Sequence, residues 1–542
     1  MEAVPAQIQG QPVYILKENV SRSSGEEVLS NILSVSSIIG EVIKTSMGPK
    51  GLNKMLIGSF GDITYSKSGL TILSEANIEH PIGKLYVEAA KTIDKNEGDG
   101  SSRLVFLVSR LVHRGAELYA KGIHPAVVAQ GYSDAVKFST SILEKMARDV
   151  DPTDEKTLRA VIRTIILPTL SRSDMQLIDK FTDLILEAVR AVSEKGNGKM
   201  RIDPDNVTIV SKAGGDVSSS SFIDGLIIEK EVVHPNMPVS MSGARIAIID
   251  FPLEVKKTEI SSELEFTNPQ SVVKLKAEER KSVVEKIEKI IESGANVLVS
   301  QKGIDDSSSS SLAKAGILAV KNVKRSDIEK LAKATGGKII SYHPDMDSGN
   351  LGNADIVEER RFENEKVLTV EGGLKSKSVS ILVRGVNKEL MKENERAIKK
   401  ALAGVQMLYA EPKVVPTGVA DFVEVSIQTK RYASKKKGEL AIVVEAYSDS
   451  LMDIPQAIAD NSGMKVIKTL GDLRAAHSKK GGTYIGLDSV STRIVDSKKE
   501  RILEPIRTVR TILNAATELA SILLRIDDML LSVKMPEKKQ QE

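Results

Sequence analysis

The spacing of apolar residues changes twice along this chain, and these changes limit its possible folds more than any other feature. Residues 25–47 and 83–120 carry apolar side chains at the three- and four-residue spacing of helices. Between 216 and 370, short apolar runs such as Arg245–Asp250 and Asn296–Ser300 alternate with helical segments. Helical spacing then returns near the end of the chain. The pattern predicts mainly helical ends and an α/β middle.

The chain is too long to form one hydrophobic core. With 542 residues, roughly three or four domain-sized units are expected. Helical spacing also extends from about 140 to 215 and from 440 to 535, which predicts helices on both sides of the α/β part. We therefore expect a multidomain protein of the α+β and α/β classes.

Composition excludes several classes of function. The chain has 76 basic and 73 acidic residues, and this near balance argues against a dedicated nucleic-acid binder. It has no cysteine, which excludes disulfides, thiolate metal sites and a cysteine nucleophile. The six histidines lie too far apart for a metal-ligand spacing. No secretory signal and no run of about 18 apolar residues occurs, so a cytoplasmic protein without membrane contact is expected.

Two short glycine motifs predict a phosphate-binding site. The first is Gly48-Pro49-Lys50-Gly51; the second is Gly98-Asp99-Gly100-Ser101-Ser102, which opens an apolar helical stretch. Small residues let backbone N–H groups approach an anion, and the helix supplies a positive N-terminus. Asp99 is placed to hold Mg²⁺, and Ser101 and Ser102 are expected to cap the helix and donate to phosphate. A Walker-type NTPase is disfavoured because neither GxxxxGKS nor GxxxxGKT occurs.

Several long motifs resemble, in the same order, those of group II chaperonins. They are TSMGPKGLNKMLI (45–57), HPIGKLYVEAAKTIDKNEGDGSS (80–102), VVHPNMPVSM (232–241), QKGIDD (301–306), LAKAGILAVKNVKRSDIEKLAKATGGKI (312–339), VEERR (357–361) and LLRIDDML (523–530). The resemblance runs from about residue 12 to 535. Within that family the sequence is most similar to a divergent, gamma-like subunit of the archaeal thermosome.

The resemblance implies the group II chaperonin fold, with three domains built from a discontinuous chain. A mainly helical equatorial domain, which binds nucleotide and makes ring contacts, would combine residues 1–146 with 405–542. A small intermediate hinge domain would combine 147–216 with 371–404. The α/β apical domain, which binds clients, would be 217–370.

The resemblance also implies double rings of sister subunits that assist the folding of unfolded proteins. A helical protrusion at Phe251–Arg280 would serve as a built-in lid. Its apolar residues are Leu253, Val255, Ile260, Leu264 and Phe266. Exposed apolar patches usually mark contact surfaces, and the alternative is that these side chains pack on their own domain.

The family binds ATP or ADP with Mg²⁺, and its nucleotide-binding positions carry over to several residues of this sequence. Asp99 would hold the metal ion. The nucleotide-binding positions are Gly48, Pro49, Gly51, Asp99, Gly100, Ser101, Ser102, Gly418, Asp488 and Glu504.

At three positions the sequence departs from the family pattern in ways that weaken hydrolysis. Ser68 stands where the family has an aspartate that positions the attacking water, and Lys400 stands where a second aspartate orients it. The family's triple glycine reads Thr417-Gly418-Val419. Serine is not a general base at neutral pH without a partner, and lysine has no acceptor. No residue is therefore assigned a catalytic role with assurance, and weak or absent hydrolysis is predicted.

Three functions remain open. The leading one is a chaperonin subunit that binds nucleotide, with Lys67 and Lys400 near the γ-phosphate, and depends on active sister subunits. The second is a fully active ATPase in which Asp62 or Asp421 replaces the missing carboxylates. The third is a nucleotide-independent ring or filament component.

A basic run in the second helical region has two interpretations. Its members are Lys430, Arg431, Lys435, Lys436 and Lys437. A run of like charge is usually a solvated loop, and that interpretation is preferred. Anion binding or a contact between rings is the alternative.

Overall fold

The chain forms two compact units in the computed structural model. One unit joins Met1–Ser173 to Glu411–Glu542, and the other is Asp174–Ala410; they are called the first and second units below. The structure describes residues 6–8, 11–13, 20–58, 61–170, 175–196, 199–254, 269–362, 365–372 and 378–532. The finer division into three domains stays a prediction.

The N-terminal part of the first unit is mostly helical. Its helices are α1 Glu26–Lys44, α2 Gly69–Glu75, α3 Pro81–Glu97, α4 Ser101–Ala120, α5 Pro125–Met146 and α6 Glu155–Ile166. Its strands are β1 Ala6–Ile8, β2 Gln11–Val13, β3 Val20–Ser24, β4 Lys54–Ile57, β5 Ile63–Ser66 and β6 Arg148–Asp149. β1 pairs with β2, and β4 pairs with β5 in an antiparallel hairpin.

The second unit contains a large mixed sheet. Its helices are α7 Met175–Val192, α8 Pro269–Glu292, α9 Asp306–Lys314, α10 Arg325–Thr335 and α11 Lys388–Ala410. Its strands are β7 Glu194–Gly196, β8 Lys199–Arg201, β9 Val207–Ala213, β10 Ser221–Ile223, β11 Gly225–Ile228, β12 Ser240–Ile249, β13 Val297–Ser300, β14 Leu318–Val320, β15 Ile339–Ile340, β16 Gly352–Phe362, β17 Glu365–Glu371 and β18 Val379–Gly385.

Strand order explains the hydrophobic pattern of the second unit. The main sheet runs β11-β17-β16-β12-β13-β14, with β15 also on β12, and a smaller sheet runs β10-β18-β9. β12, β13 and β14 are parallel; β13 and β14 are buried throughout, and β12 is buried over residues 246–249. Parallel strands covered on both faces read as continuous apolar runs, which is why they were recognised in the sequence.

The C-terminal part returns to the first unit. It contains α12 Ala420–Ala433, α13 Glu439–Asn461, α14 Val466–His477 and α15 Ile506–Leu524. Its strands are β19 Lys413–Pro416, β20 Ile485–Asp488, β21 Arg493–Asp496, β22 Leu503–Pro505 and β23 Asp528–Ser532. β19 lies between β22 and β6, and β23 pairs with β3. The two ends of the chain therefore share one fold.

Helix α4 is the centre of the first unit. Leu104, Leu107 and Leu111 are completely buried, and α4 packs against α1, α13 and α15. A helix that is apolar around most of its surface requires neighbours on several sides, which explains this burial. Within the described residues, none of the helices is both long and apolar enough to cross a membrane.

Two stretches for which only helices were predicted also contain strands. In the stretch from 140 to 215, the last helix ends at Val192 and is followed by β7, β8 and β9. The region after residue 440 contains β20 to β23 beside its helices. Val207, Ile209 and Val210 are β-branched, which favours a strand, and short apolar runs do not separate the two structures by spacing alone.

The expected exposure of Leu253 is wrong. This side chain is completely buried, and its backbone pairs with the segment after β13: its N–H donates to Gly303 at 3.0 Å, and its carbonyl accepts from Asp305 at 3.1 Å. Leu253 thus belongs to the core of the α/β unit. The other apolar residues named for the protrusion, Val255, Ile260, Leu264 and Phe266, lie outside the described residues.

Candidate functional site

The first glycine motif forms a tight loop directly after α1. Gly48 has φ of +81°, a left-handed conformation that favours glycine. A Cβ on Gly51 would overlap backbone carbonyl oxygens of the residues just before the motif. The Asn461 side chain donates to the carbonyls of Lys44 and Met47 at 2.7 and 2.9 Å. The loop is therefore fixed from both sides, by its own glycines and by α13.

The second glycine motif joins α3 to α4. Gly98 and Gly100 have φ of +74° and +101°, so each adopts a backbone that other residues rarely tolerate. Gly100 is the N-cap of α4 and no side chain caps it, so the predicted capping by Ser101 and Ser102 is wrong. These serines occupy the first two helical positions, one residue too late for an N-cap. The Ser102 hydroxyl instead accepts from the Gly69 N–H at 2.9 Å.

The segment Lys67-Ser68-Gly69 connects the two motifs. Lys67 Nζ donates to the Pro49 carbonyl at 3.3 Å, and Gly69 contacts Ser102. Lys67 and Ser68 are each only 8% exposed, so this connection lies inside the first unit. Two motifs that are about 50 residues apart in sequence thus lie together. Their role as one phosphate site stays a prediction.

Arg103 brings a positive charge to the same place. It lies in the first turn of α4 and pairs with both oxygens of Glu504, one of them at 2.8 Å. Its guanidinium also lies 3.5 Å from the Asp99 carboxylate. Burial, the largest single effect, lowers the pKa of Arg103, but the charge and hydrogen bond of Glu504 and the charges of Asp99 and Asp421 together hold this pKa above its usual value. The sequence-based prediction overlooked Arg103, although a cation in the first turn of a helix is an unfavourable choice that signals a special partner.

Asp421, near the start of α12, is close enough to this ion pair for both of its charges to shift the Asp421 pKa. It is completely buried, and the Thr417 hydroxyl donates to it at 3.4 Å. Burial raises its pKa to about 7, the negative Glu504 adds to the increase, and Arg103 opposes it. A carboxyl group with a pKa near 7 changes protonation in the physiological range.

The turn Thr417-Gly418-Val419 docks on the hairpin of β20 and β21. The Leu487 N–H donates to the Gly418 carbonyl at 2.7 Å, and a Cβ on Gly418 would lie 2.8 Å from the Leu487 carbonyl oxygen. Val419 has φ of +65° and begins α12. A β-branched residue in this conformation is strained by roughly 1–3 kcal/mol. Buried packing against Val423 and Leu487 compensates for the strain.

The remaining predicted residues have structural partners. Asp488 accepts from the Val490 N–H at 3.0 Å and from the Ser491 hydroxyl, and so fixes the turn between β20 and β21. Glu504 is held by Arg103 as described. Lys400 lies on α11 in the second unit. Asp62 is exposed in the turn of the β4–β5 hairpin.

The residues present do not form a metal site by themselves. Among the described residues, no three acidic, histidine or cysteine side chains converge on one point. Mg²⁺ demands near-octahedral oxygen coordination, and the Asp99 carboxylate already faces the Arg103 guanidinium. The role of Asp99 as a metal ligand stays a prediction.

The basic run is partly neutralised within the first unit. Lys430 pairs with Glu445 and Asp449 at 3.0 and 3.2 Å. Lys436 pairs with Asp134 at 3.2 Å and lies over the Tyr432 ring. These contacts agree with an ordinary charged surface, and the anion-binding alternative has no specific support from them.

A helical unit built from both chain ends, an α/β unit between them and two joined glycine loops are the features of a chaperonin subunit. Residues 39–534 match the model of the TCP-1/cpn60 chaperonin family, and the chain belongs to this family. It is 40% identical over 537 residues to a thermosome subunit of Pyrococcus abyssi, covering 99% of this chain and 97% of that protein.

Two further relatives are similar along nearly their whole length. The thermosome subunit alpha of Archaeoglobus fulgidus is 39% identical over 534 residues, covering 98% of this chain and 97% of that protein. The thermosome subunit beta of Aeropyrum pernix is 40% identical over 522 residues, covering 96% and 94%. The resemblance to group II chaperonins is confirmed; the gamma-like assignment stays a prediction.

Proposed function

We propose that this chain is a chaperonin subunit that binds ATP or ADP in its first unit but hydrolyses ATP weakly or not at all. It would work in a cytoplasmic double ring with active sister subunits and act on unfolded proteins. One observation carries this proposal: the segment Lys67-Ser68-Gly69 joins the two glycine motifs, yet it supplies the Ser68 hydroxyl at the position where the family pattern has a carboxylate.

Nucleotide binding is supported by the local backbone. The first turn of α4 has no side-chain cap, so its positive end suits an anion. The glycines at 48, 98 and 100 hold left-handed conformations, and this lets the backbone come close to a ligand. The family resemblance also implies that Asp99 holds Mg²⁺. The contact between Asp99 and Arg103 concerns this metal role and not nucleotide binding itself.

Weak hydrolysis is supported by the chemistry of the two substituted positions. A serine hydroxyl has no basic lone pair of useful strength at neutral pH, and a lysine ammonium only donates. Loss of a well-placed general base costs a factor of about 10² to 10⁴ in rate. The proposed ring would tolerate an inactive subunit if the ATP sites of neighbouring subunits drive the conformational change that all subunits share.

The test is a restoration experiment. The double variant Ser68→Asp with Lys400→Asp should release phosphate at least about tenfold faster than the wild-type chain. Ser434→Asp with Lys435→Asp, on an exposed helix end, is the matched control and should leave the rate unchanged. Wild-type turnover equal to that of an active thermosome subunit would contradict the proposal.

Asp421 supports a second candidate, the fully active ATPase with a shifted carboxylate. Its pKa of about 7 lies in the range in which a general base works best. In this case wild-type phosphate release is substantial, rises through pH 7 and falls at least about tenfold in Asp421→Asn. A low rate that is independent of Asp421 removes this candidate.

A further inference from the structure

Arg103 occupies an electrostatically unusual position. The N-terminal end of a helix carries partial positive charge, so a cation in its first turn is disfavoured unless carboxylates surround it. Arg103 meets this condition: its guanidinium binds Glu504 with two nitrogens and approaches Asp99. Its side chain is 17% exposed, against 6% for Glu504 and 26% for Asp99. The cluster is thus mostly removed from water, where charges interact strongly.

The charges in this cluster are already balanced in large part. The planar guanidinium donates two parallel hydrogen bonds to the two carboxylate oxygens of Glu504, and this pairing fixes its orientation. The Asp99 carboxylate, which a metal ion would need, lies 3.5 Å from Arg103 Nη2, a nitrogen that also binds Glu504. A divalent cation placed on Asp99 would come close to a buried positive charge that has nowhere to move without leaving Glu504 unpaired.

We propose that the Arg103 guanidinium is the resident cation of this site, so that the subunit binds ATP or ADP without a magnesium ion on Asp99. This inference rests on the proposed nucleotide binding. Arg103 supplies, from within the chain, the cation that faces Asp99 where a metal ion would otherwise lie. The site would then retain nucleotide, but without the Lewis acid that assists phosphoryl transfer.

The dependence of nucleotide affinity on Mg²⁺ distinguishes a resident Arg103 cation from a metal ion on Asp99. A fluorescent ADP analogue is titrated into the purified full-length chain, once with excess Mg²⁺ and once with EDTA. We expect the two dissociation constants to agree within about threefold. Binding that is about tenfold or more tighter with Mg²⁺ overturns the proposal. Absence of binding in both media overturns the proposed nucleotide binding as well, so the two failures are distinct.

Two variants locate the effect. Arg103→Gln removes the charge while keeping hydrogen-bond donors, and we expect binding to become at least about tenfold tighter with Mg²⁺ than with EDTA. An Arg103→Gln variant as insensitive to Mg²⁺ as the wild type contradicts the proposal.

Asp99→Asn keeps the Arg103–Glu504 pair and covers the case in which Arg103→Gln fails to fold. If Asp99 holds no metal, this change alters the dissociation constant by the same factor in Mg²⁺ and in EDTA. A loss of affinity confined to the Mg²⁺ medium identifies Asp99 as a metal ligand and overturns the proposal. A circular-dichroism melt accompanies each variant and reports whether it is folded.

Discussion

At the scale of single residues, Asp421 is the side chain whose chemistry depends most on its surroundings. Burial, and then the nearby Glu504, raises its pKa to about 7, against about 3.9 for an unfolded aspartate. Folding therefore takes up a proton between these values, and this contribution to stability is lost as pH rises through about 7. The group favours the folded state in acid and opposes it in mild base.

Asp421→Asn, which cannot ionise, should lose this dependence. The difference in free energy of unfolding, variant minus wild type, should be larger at pH 8 than at pH 5 by about 1 kcal/mol or more. Denaturant unfolding at the two pH values measures the difference. Asp62→Asn, exposed in a hairpin turn, is the control and should follow the wild type. Parallel behaviour of Asp421→Asn and wild type would show that Asp421 is not ionising in this range.

Gly51 gives a second prediction at this scale. A Cβ there would overlap the Ser46 carbonyl, so Gly51→Ala must distort the first glycine loop. We expect it to lower stability by about 1–3 kcal/mol and to weaken nucleotide binding. Gly471→Ala is the matched control: its Cβ has no neighbour within 4 Å, and in helix α14 it should be neutral or stabilising by up to about 1 kcal/mol. Equal effects of the two changes would refute the steric explanation.

The sequence identified the glycines of this site more readily than its charges. Gly48 and Gly100 have positive φ, a conformation that favours glycine, so the residue type itself indicates the local backbone. Arg103 and Glu504 are 401 positions apart in the sequence, and a local sequence pattern does not predict a contact over that separation. Leu253 was misjudged for the same reason: its burial depends on a strand and loop far along the chain.

At the scale of elements, the β4–β5 hairpin carries an apolar face that the described part of the chain leaves exposed. Met55 lies opposite Tyr65, and Ile57 lies opposite Ile63. All four side chains are exposed, between 37% and 69%. A two-stranded hairpin is marginally stable alone, so we expect a sister subunit to cover this face in the ring.

The double variant Met55→Glu with Ile57→Glu should therefore prevent assembly without unfolding the chain. Sedimentation velocity, on the chain alone and mixed with an archaeal thermosome subunit, measures the loss of large particles. Ile467→Glu alters another exposed apolar side chain, 91% exposed on α14, and should leave assembly intact. Rings that form normally from the hairpin variant would exclude this face from the contact.

Elements differed in how well the sequence predicted them. α4 is apolar around most of its surface and β12 forms a continuous apolar run over residues 246–249, so the pattern indicated the type of each element. β9 is seven residues long and half-buried, and at that length helical and strand patterns overlap. Its place in the sheet is decided by β18, more than 160 residues later in the sequence.

At the scale of the whole molecule, the return of the chain to its first unit could not be derived from composition or periodicity. Both ends are helical, but helical spacing does not say which helices pack together. Long-range pairs such as β3 with β23 and β6 with β19 hold the ends in one unit. Only the long ordered motifs shared with chaperonins carried that information before the structure was known.

At this scale we propose that the subunit binds nucleotide and hydrolyses it weakly or not at all. Radiolabelled ATP bound to the purified full-length chain, and the phosphate released from the same sample, test it in one measurement. We expect nearly one nucleotide bound per chain, with release at least about 100-fold slower than from an active thermosome subunit. Release at the rate of the active subunit, or no bound nucleotide at all, would contradict the claim.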